Sequence, residues 1–113
     1  MHDKVLGIIR ETLLHENTVE DIAVRLGSGE VLMTFWQPNE KYSWPDHELR
    51  LTFSGVREFA ASGTGQEVRS ETLLAIECVR DGDGYLAEIQ IGSGDVTAWG
   101  LRLAFNDLHY KRT

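Results

Sequence analysis

The chain has 113 residues, of which 42% are hydrophobic and 26% are charged, and its formal net charge is −7. This length and composition predict one globular domain, residues 1–113. No apolar run approaches the roughly 20 residues of a membrane-spanning helix, so no membrane insertion is expected. The negative charge disfavours attraction to phosphate, so nucleic acid is not an expected partner. The N-terminal residues lack the basic and apolar regions of a secretory signal, and cytoplasmic residence is expected.

An amphipathic N-terminal helix is the first predicted element. Apolar side chains recur at helical spacing between Val5 and Leu14, Asp3 is placed to cap the first turn, and Asn17 can end the helix. Beyond it, apolar and polar residues alternate, which is the pattern of strands with one buried face. Glycine-bracketed turns interrupt the alternation, the first of them at Gly27–Gly29, and each such turn predicts a β-hairpin.

The later part of the chain continues this pattern. A strand around Leu49–Phe53 is followed by a bend at Gly55, after which the strand pattern resumes over Val56–Phe59. A second hairpin turns at Asp81–Gly84, and a last strand runs through Trp99–Phe105. The stretch Ala60–Ser70 is small and polar and is expected to be a loop. The predicted fold class is therefore α+β, with the N-terminal helix packed on a curved, mainly antiparallel sheet or small sandwich of six to seven strands built from hairpins.

No segment carries the motif of a catalytic, cofactor or metal site. The glycine turns lead into strands and not into the helix N-terminus that phosphate binding requires. The four histidines and the single cysteine form no zinc motif. Glu77 and Glu88 are the best-placed pair of carboxylates, and salt bridges to Arg80 and Arg102 explain them more simply than glycoside chemistry does. No catalytic residue, cofactor or metal is therefore assigned.

Large aromatic residues gather around the segment 37–47, which contains both prolines of the chain. The predicted partner-binding surface consists of three aromatic and two acidic residues: Trp36, Glu40, Tyr42, Trp44 and Asp46. Aromatic side chains on a loop held by a rigid sheet provide a large contact area at low entropic cost, as they do in protein interfaces. The alternative is that one or both tryptophans fold back and cover the open end of the sheet.

Three segments together carry a resemblance: the N-terminal helix that opens with His2 and Asp3, the hairpin from Val19 to Trp36, and the stretch Leu49–Phe59. In the last of these, a strand ending in Phe is followed by Gly-Val and a second aromatic residue before two further hairpins. The pattern resembles small, mostly uncharacterised bacterial proteins that include immunity proteins of polymorphic toxin systems. The resemblance implies a small α+β domain that binds and neutralises a cognate toxin through an acidic or aromatic face. It assigns no catalytic residues.

The leading functional hypothesis is a non-enzymatic, cytoplasmic protein-binding domain, of the immunity type or of another function. One alternative is a small-ligand-binding or enzymatic domain that uses the concave face of the sheet, with Arg50, Glu88 and Arg102 as its polar groups. Arginines without carboxylate partners would favour this alternative, because an uncompensated charge in a pocket awaits an anion. A second alternative is a homodimer joined through a sheet edge. The expected partner is thus another protein or a second copy of the chain.

Overall fold

The computed structural model describes residues 3–11, 17–36, 48–63, 71–94 and 96–112. These residues form one helix and eight strands, which in chain order are α1 Lys4–Glu11, β1 Thr18–Arg25, β2 Glu30–Trp36, β3 Glu48–Ser54, β4 Glu58–Gly63, β5 Thr72–Asp81, β6 Gly84–Ser93, β7 Val96–Phe105 and β8 Asp107–Arg112. All of the strand pairs are antiparallel, and they form a single sheet in the order β4-β7-β6-β5-β1-β2-β3-β8. Within the described ranges, no helix has the length and apolar character needed to cross a membrane.

The predicted fold class is wrong in its strand number and in its balance of helix and sheet. The described chain is mainly β, with eight strands instead of six to seven and one helix of 8 residues, although the hairpin-built antiparallel sheet is confirmed. The C-terminal strand β8 was not counted as a separate strand. β4 begins within the predicted strand 56–59 and extends into the stretch that was expected to be a loop. Its sequence is Glu-Phe-Ala-Ala-Ser-Gly and nearly all of it is exposed. Pairing with the distant strand β7, and not local alternation, extends this strand over residues 60–63.

The sheet consists of two four-stranded halves with the same topology. In each half three strands form a meander, β1-β2-β3 in the first and β5-β6-β7 in the second. The strand that follows each meander crosses to the edge of the other half, so that β4 pairs with β7 and β8 pairs with β3. The halves meet between β1 and β5, where Thr18 and Thr72 are partners. An approximate two-fold axis therefore passes between these two threonines.

The two halves also correspond in sequence and in their irregularities. Leu49–Ser54 in β3 reads Leu-Arg-Leu-Thr-Phe-Ser, and Leu101–Asn106, which runs one residue beyond the end of β7, reads Leu-Arg-Leu-Ala-Phe-Asn. The first strand of each half has a register shift at an equivalent place, around Glu20 in β1 and around Leu74 in β5. The correspondence allows each position on one half to be compared with a defined position on the other.

The inner faces of both halves and one side of α1 share a hydrophobic core. Its largest fully buried side chains are Met33, Phe35, Leu49, Leu51, Phe53, Leu73, Ile89, Ile91, Leu103, Phe105 and Leu108. Full burial of one such side chain stabilises the fold by about 1.5–3 kcal/mol. Phe53 and Phe105, which occupy the same position in the repeated segments, meet edge to face with ring centroids 5.0 Å apart. The two halves thus pack against each other through equivalent residues.

Gly55 and Asn106 meet where the chain crosses between the halves. Asn106 N donates to Ser54 O at 3.0 Å, and Arg57 N donates to Ala104 O at 2.7 Å. Gly55 has a φ of +63°, and a Cβ atom there would lie 2.7 Å from Asn106 Nδ2 and 2.8 Å from Asn106 Cβ. The bend predicted at Gly55 is confirmed, and both its backbone conformation and this close approach require glycine.

Candidate interaction surface

The residues of the predicted aromatic surface fall only in part within the described chain. Trp36 is the last residue of β2 and its exposed fraction is 43%. Its side chain faces away from the core, because successive strand residues alternate between faces and Phe35 is buried. The other four members lie outside the described residues: Glu40, Tyr42, Trp44 and Asp46. Their part of the surface stays a prediction.

Trp36 lies beside an exposed ion pair on the outer face of the first half. It is the register partner of Glu48 in β3. Glu48 Oε1 lies 3.4 Å from Nη2 of Arg50, which is exposed. Trp36 was predicted to be part of the partner-binding surface, and Arg50 was predicted to be a polar group of a ligand pocket. The structure places the two residues close together on neighbouring strands.

Glu88 and Arg102 are brought together on the outer face of the second half. They are register partners in β6 and β7, with Arg102 Nη1 at 3.7 Å from Glu88 Oε1. Arg102 Nε also lies 3.6 Å from Oε1 of Glu58 in β4. The salt bridge expected between Glu88 and Arg102 is confirmed. Arg50 lies on the other half, and neither arginine is an uncompensated cation, because each lies near a carboxylate.

A shallow groove of about 360 Å³ lies beside Arg102 on the outer face of β4, β7 and β6. Its lining includes small or uncharged polar residues: Ala60, Ser62, Gln90 and Gly100. Gln90 and Gly100 are register partners, and their equivalents in the first half are Trp36 and Glu48. The groove is open in the second half because glycine and glutamine replace larger or charged side chains. Comparing the two repeated segments is the sequence signal that would have located it.

Two carboxylates face each other next to this groove. Glu77 in β5 is the register partner of Glu88, so one row across four strands reads Glu77, Glu88, Arg102 and Ala60. Like charges directly opposite each other destabilise a sheet. Together with Glu58, this row makes a surface with three carboxylates and one guanidinium. We call Glu58, Glu77, Glu88 and Arg102 the acidic outer face.

Arg80, the expected partner of Glu77, is instead part of a cluster at the start of α1. Its Nη1 lies 2.9 Å from Oδ2 of Asp3, and the Tyr85 hydroxyl donates to the same carboxylate at 2.9 Å. A backbone hydrogen bond from Leu6 lowers the pKa of Asp3, partly opposed by burial, and the contacts with Tyr85 and Arg80 lower it further. Burial, together with the Asp3 carboxylate, raises the pKa of Tyr85. With the pKa of Asp3 lowered and that of Tyr85 raised, Asp3 is ionised and Tyr85 is protonated near neutral pH. The hydrogen bond between them is therefore kept.

The described residues offer little chemistry for catalysis. Among them, no three His, Cys, Asp or Glu side chains come together as a metal site. Cys78 is half-buried, and burial together with the Asp3 charge raises the pKa of its thiol to about 11, the opposite of an activated nucleophile. His109 Nε2 lies 3.4 Å from Asp107 Oδ2 on the exposed strand β8, away from the groove. The acidic outer face combines three carboxylates and one guanidinium with the adjoining groove.

No protein-family model matches the sequence, and no curated protein matches it. The resemblance to immunity proteins of polymorphic toxin systems therefore stays a prediction.

Proposed function

We propose that this chain is a non-enzymatic, cytoplasmic protein-binding domain whose acidic outer face receives a basic surface of a partner protein. The observation that supports this proposal is the direct opposition of Glu77 and Glu88 on neighbouring strands. The guanidinium of Arg102 lies near the carboxylates of Glu88 and Glu58. A lysine or arginine of a partner placed beside Glu77 would remove the like-charge repulsion on binding, so this surface gains more from a cationic partner than a neutral surface does.

The overall charge supports the same class of partner. The net charge of −7 attracts a basic protein over a distance comparable to the Debye length, about 8 Å at physiological salt. Such attraction raises the association rate and falls as the salt concentration rises. An acidic face is also one of the two binding faces that the immunity-type resemblance implies. In that case the partner is a toxin with a basic surface.

The test is affinity capture from the native host, with charge-reversal variants. The Glu77→Lys/Glu88→Lys variant alters the acidic outer face, and Glu20→Lys/Asp21→Lys makes the same charge change on exposed residues of β1. We expect the wild type and the β1 variant to capture one stoichiometric basic protein that is released at about 0.5 M salt, and the outer-face variant to lose it. Equal capture by both variants, or equal loss, would contradict the proposed surface.

The aromatic surface around Trp36 is a separate proposal for the same function. Its support is that Trp36 remains 43% exposed on a polar face beside the Glu48 and Arg50 ion pair. Trp36→Ala should weaken partner capture while leaving the midpoint of thermal unfolding nearly unchanged. A large loss of thermal stability would instead mean that Trp36 covers the end of the sheet.

A small ligand is the second candidate, favoured by the groove beside Arg102. Its volume of about 360 Å³ lies at the lower end of the range of about 300–1,000 Å³ for ligand sites. Because Arg102 is compensated by two carboxylates, a cationic or neutral molecule fits this groove better than an anion does. A panel of metabolites should then raise the melting temperature selectively, and Gly100→Leu, which fills the groove, should abolish the shift. A flat panel would remove this candidate.

A further inference from the structure

We infer that two copies of this chain associate through the edge strand β4, pairing antiparallel about Ala60 so that the sheet of one copy continues into the other. This association is independent of the proposed partner protein. In it β4 is the self-association edge, and Ala60 sets the register.

The two edges of the sheet differ in how well they are protected against pairing. Within the described ranges β4 pairs only with β7, and β8 pairs only with β3. The β8 edge is packed by α1. It carries four acidic or basic side chains, those of Asp107, His109, Lys111 and Arg112. After Glu58, β4 carries only Phe59, two alanines, Ser62 and Gly63, with no proline or lysine. Charged side chains are a usual means of preventing edge pairing, and after Glu58 the strand β4 carries none.

The one charge on β4 is compensated within its own copy. Glu58 Oε1 lies 3.6 Å from Nε of Arg102, which is in the neighbouring strand β7. When two β4 edges pair, the carboxylate of each Glu58 therefore already has the guanidinium of Arg102 beside it. The net charge of −7 is carried mostly elsewhere, so it opposes association weakly at physiological salt.

The sequence of β4 is complementary to itself in one register. Opposite residues of an antiparallel pair share a face, and in β4 the outer face holds Glu58, Ala60 and Ser62, since Ala60 is the partner of the outward residue Arg102. With Ala60 opposite Ala60 of the second copy, each Glu58 lies opposite Ser62, whose hydroxyl can donate to the carboxylate. On the inner face Phe59 lies opposite Ala61, a large side chain opposite a small one. No like charges face each other.

The expected association is weak and depends on concentration. Pairing of one short strand of 6 residues buries less surface than the roughly 1,200 Å² at the lower end of stable interfaces. An edge strand presents backbone N–H and C=O groups that can pair with another chain, and in the dimer those of β4 bond to the second copy. We expect a monomer in dilute solution and a dimer at high concentration.

Sedimentation equilibrium of the full chain over about 10 µM to 1 mM is the first test. The average mass should rise from that of one chain towards that of two, while Ala60→Lys, which places two lysines opposite each other, stays monomeric. The matched control is His109→Lys on the β8 edge, which should associate like the wild type. Circular dichroism and thermal unfolding establish that each variant is folded. A monomer at all concentrations, or association abolished by His109→Lys and kept by Ala60→Lys, would overturn the inference.

Disulfide cross-linking tests the register, independently of whether a lysine is tolerated. Oxidation of Ala60→Cys should give a covalent dimer quickly, because the two Cβ atoms are directly opposite and lie about 4.5–5.5 Å apart. Ser62→Cys should cross-link slowly, because Ser62 faces Glu58. Mixing Glu58→Cys with Ser62→Cys should restore fast cross-linking. Equal rates for the two single variants would overturn the register.

Discussion

The Tyr85 hydroxyl donates a hydrogen bond to the carboxylate of Asp3 and lies 2.9 Å from each of its oxygens. The same carboxylate accepts a hydrogen bond from Leu6 N in the first turn of α1, at 3.1 Å, so it both caps the helix and attaches it to β6. Arg80 lies over the Tyr85 ring at 5.2 Å and contacts Asp3. Tyr85 in turn stacks on Phe105 in the core. The short helix α1 is thus positioned by a polar contact that continues into apolar packing.

Tyr85→Phe should lower the free energy of unfolding by about 1 kcal/mol, because it removes the hydrogen bond and keeps the ring that packs on Phe105. The midpoint of thermal unfolding should fall by roughly 4–8 °C. Tyr110→Phe is the matched control, since Tyr110 is exposed on the edge strand β8, and it should change the midpoint little. Equal midpoints for the wild type and Tyr85→Phe would show that the hydroxyl contributes no net stability.

Asp3 should make stability depend on pH in the acid range. Its pKa in the folded state is lowered below the ordinary value of 3.8, so folding favours the ionised form. The contribution of Asp3 is therefore complete above the unfolded pKa and is lost as pH falls from about 4 through the lower, folded pKa. Urea unfolding between pH 7 and pH 2 should show a smaller acid-induced loss for Asp3→Asn than for the wild type. Parallel pH profiles would contradict this linkage.

Gly55→Ala should destabilise the protein more than Gly82→Ala does. Both glycines have positive φ, +63° and +62°, so both substitutions cost about 1–2 kcal/mol in backbone strain. Only at Gly55 does the new Cβ meet a neighbour, Asn106, and this overpacking costs about 1–3 kcal/mol more. Urea unfolding measures both. Asn106→Gly should recover part of the loss in the Gly55→Ala background, and a failure to recover any would place the strain elsewhere.

Local pattern was enough to predict most of the described strands and not enough to predict their number or order. The alternation in β2 and β3 follows from one buried face, so Val31 to Phe35 and Leu49 to Phe53 could be assigned from sequence. The end of β4, residues 60–63, could not, because its side chains are small and exposed and it extends the strand through pairing with β7. The exchange of β4 and β8 between halves depends on contacts between segments distant in sequence. The repeat of Leu49–Ser54 in Leu101–Asn106 was the available sign of that topology.

The polar groups of the surface were predictable as residue types, and their grouping was not. Glu88 and Arg102 meet because the β6-β7 register places them opposite each other. Arg50, Glu88 and Arg102 were expected to converge on one concave face. Arg50 occupies the position in the first half that Arg102 occupies in the second, so the two-fold arrangement places the two arginines on different halves. Glu77 lacks the expected contact with Arg80 because residues three apart in one strand point to opposite faces of the sheet. Arg80 lies on the side of its register partner Tyr85, where it contacts Asp3.

The thiol of Cys78 should react slowly in the folded protein. Its pKa is raised to about 11, so at pH 8 only roughly one thiol in a thousand is ionised. The rate of reaction with an aromatic disulfide reagent should rise with pH well beyond pH 9, whereas the chain unfolded in urea should react quickly at pH 8. Fast reaction of the native protein at pH 8 would contradict the raised pKa.

Glu77→Lys should stabilise the sheet, because it replaces a like-charge pair with an attractive pair across β5 and β6. The expected gain is about 0.2–1 kcal/mol at low salt, measured by urea unfolding. The gain should shrink above about 0.5 M salt, where charges on exposed side chains are largely screened. In a Glu88→Gln background the same substitution should gain less, and an equal gain there would mean that Glu88 is not the source of the repulsion. The proposed function requires in addition that Glu77→Lys weakens partner capture. A variant that is more stable and binds less well would show that the acidic outer face retains a destabilising charge pair because binding depends on it.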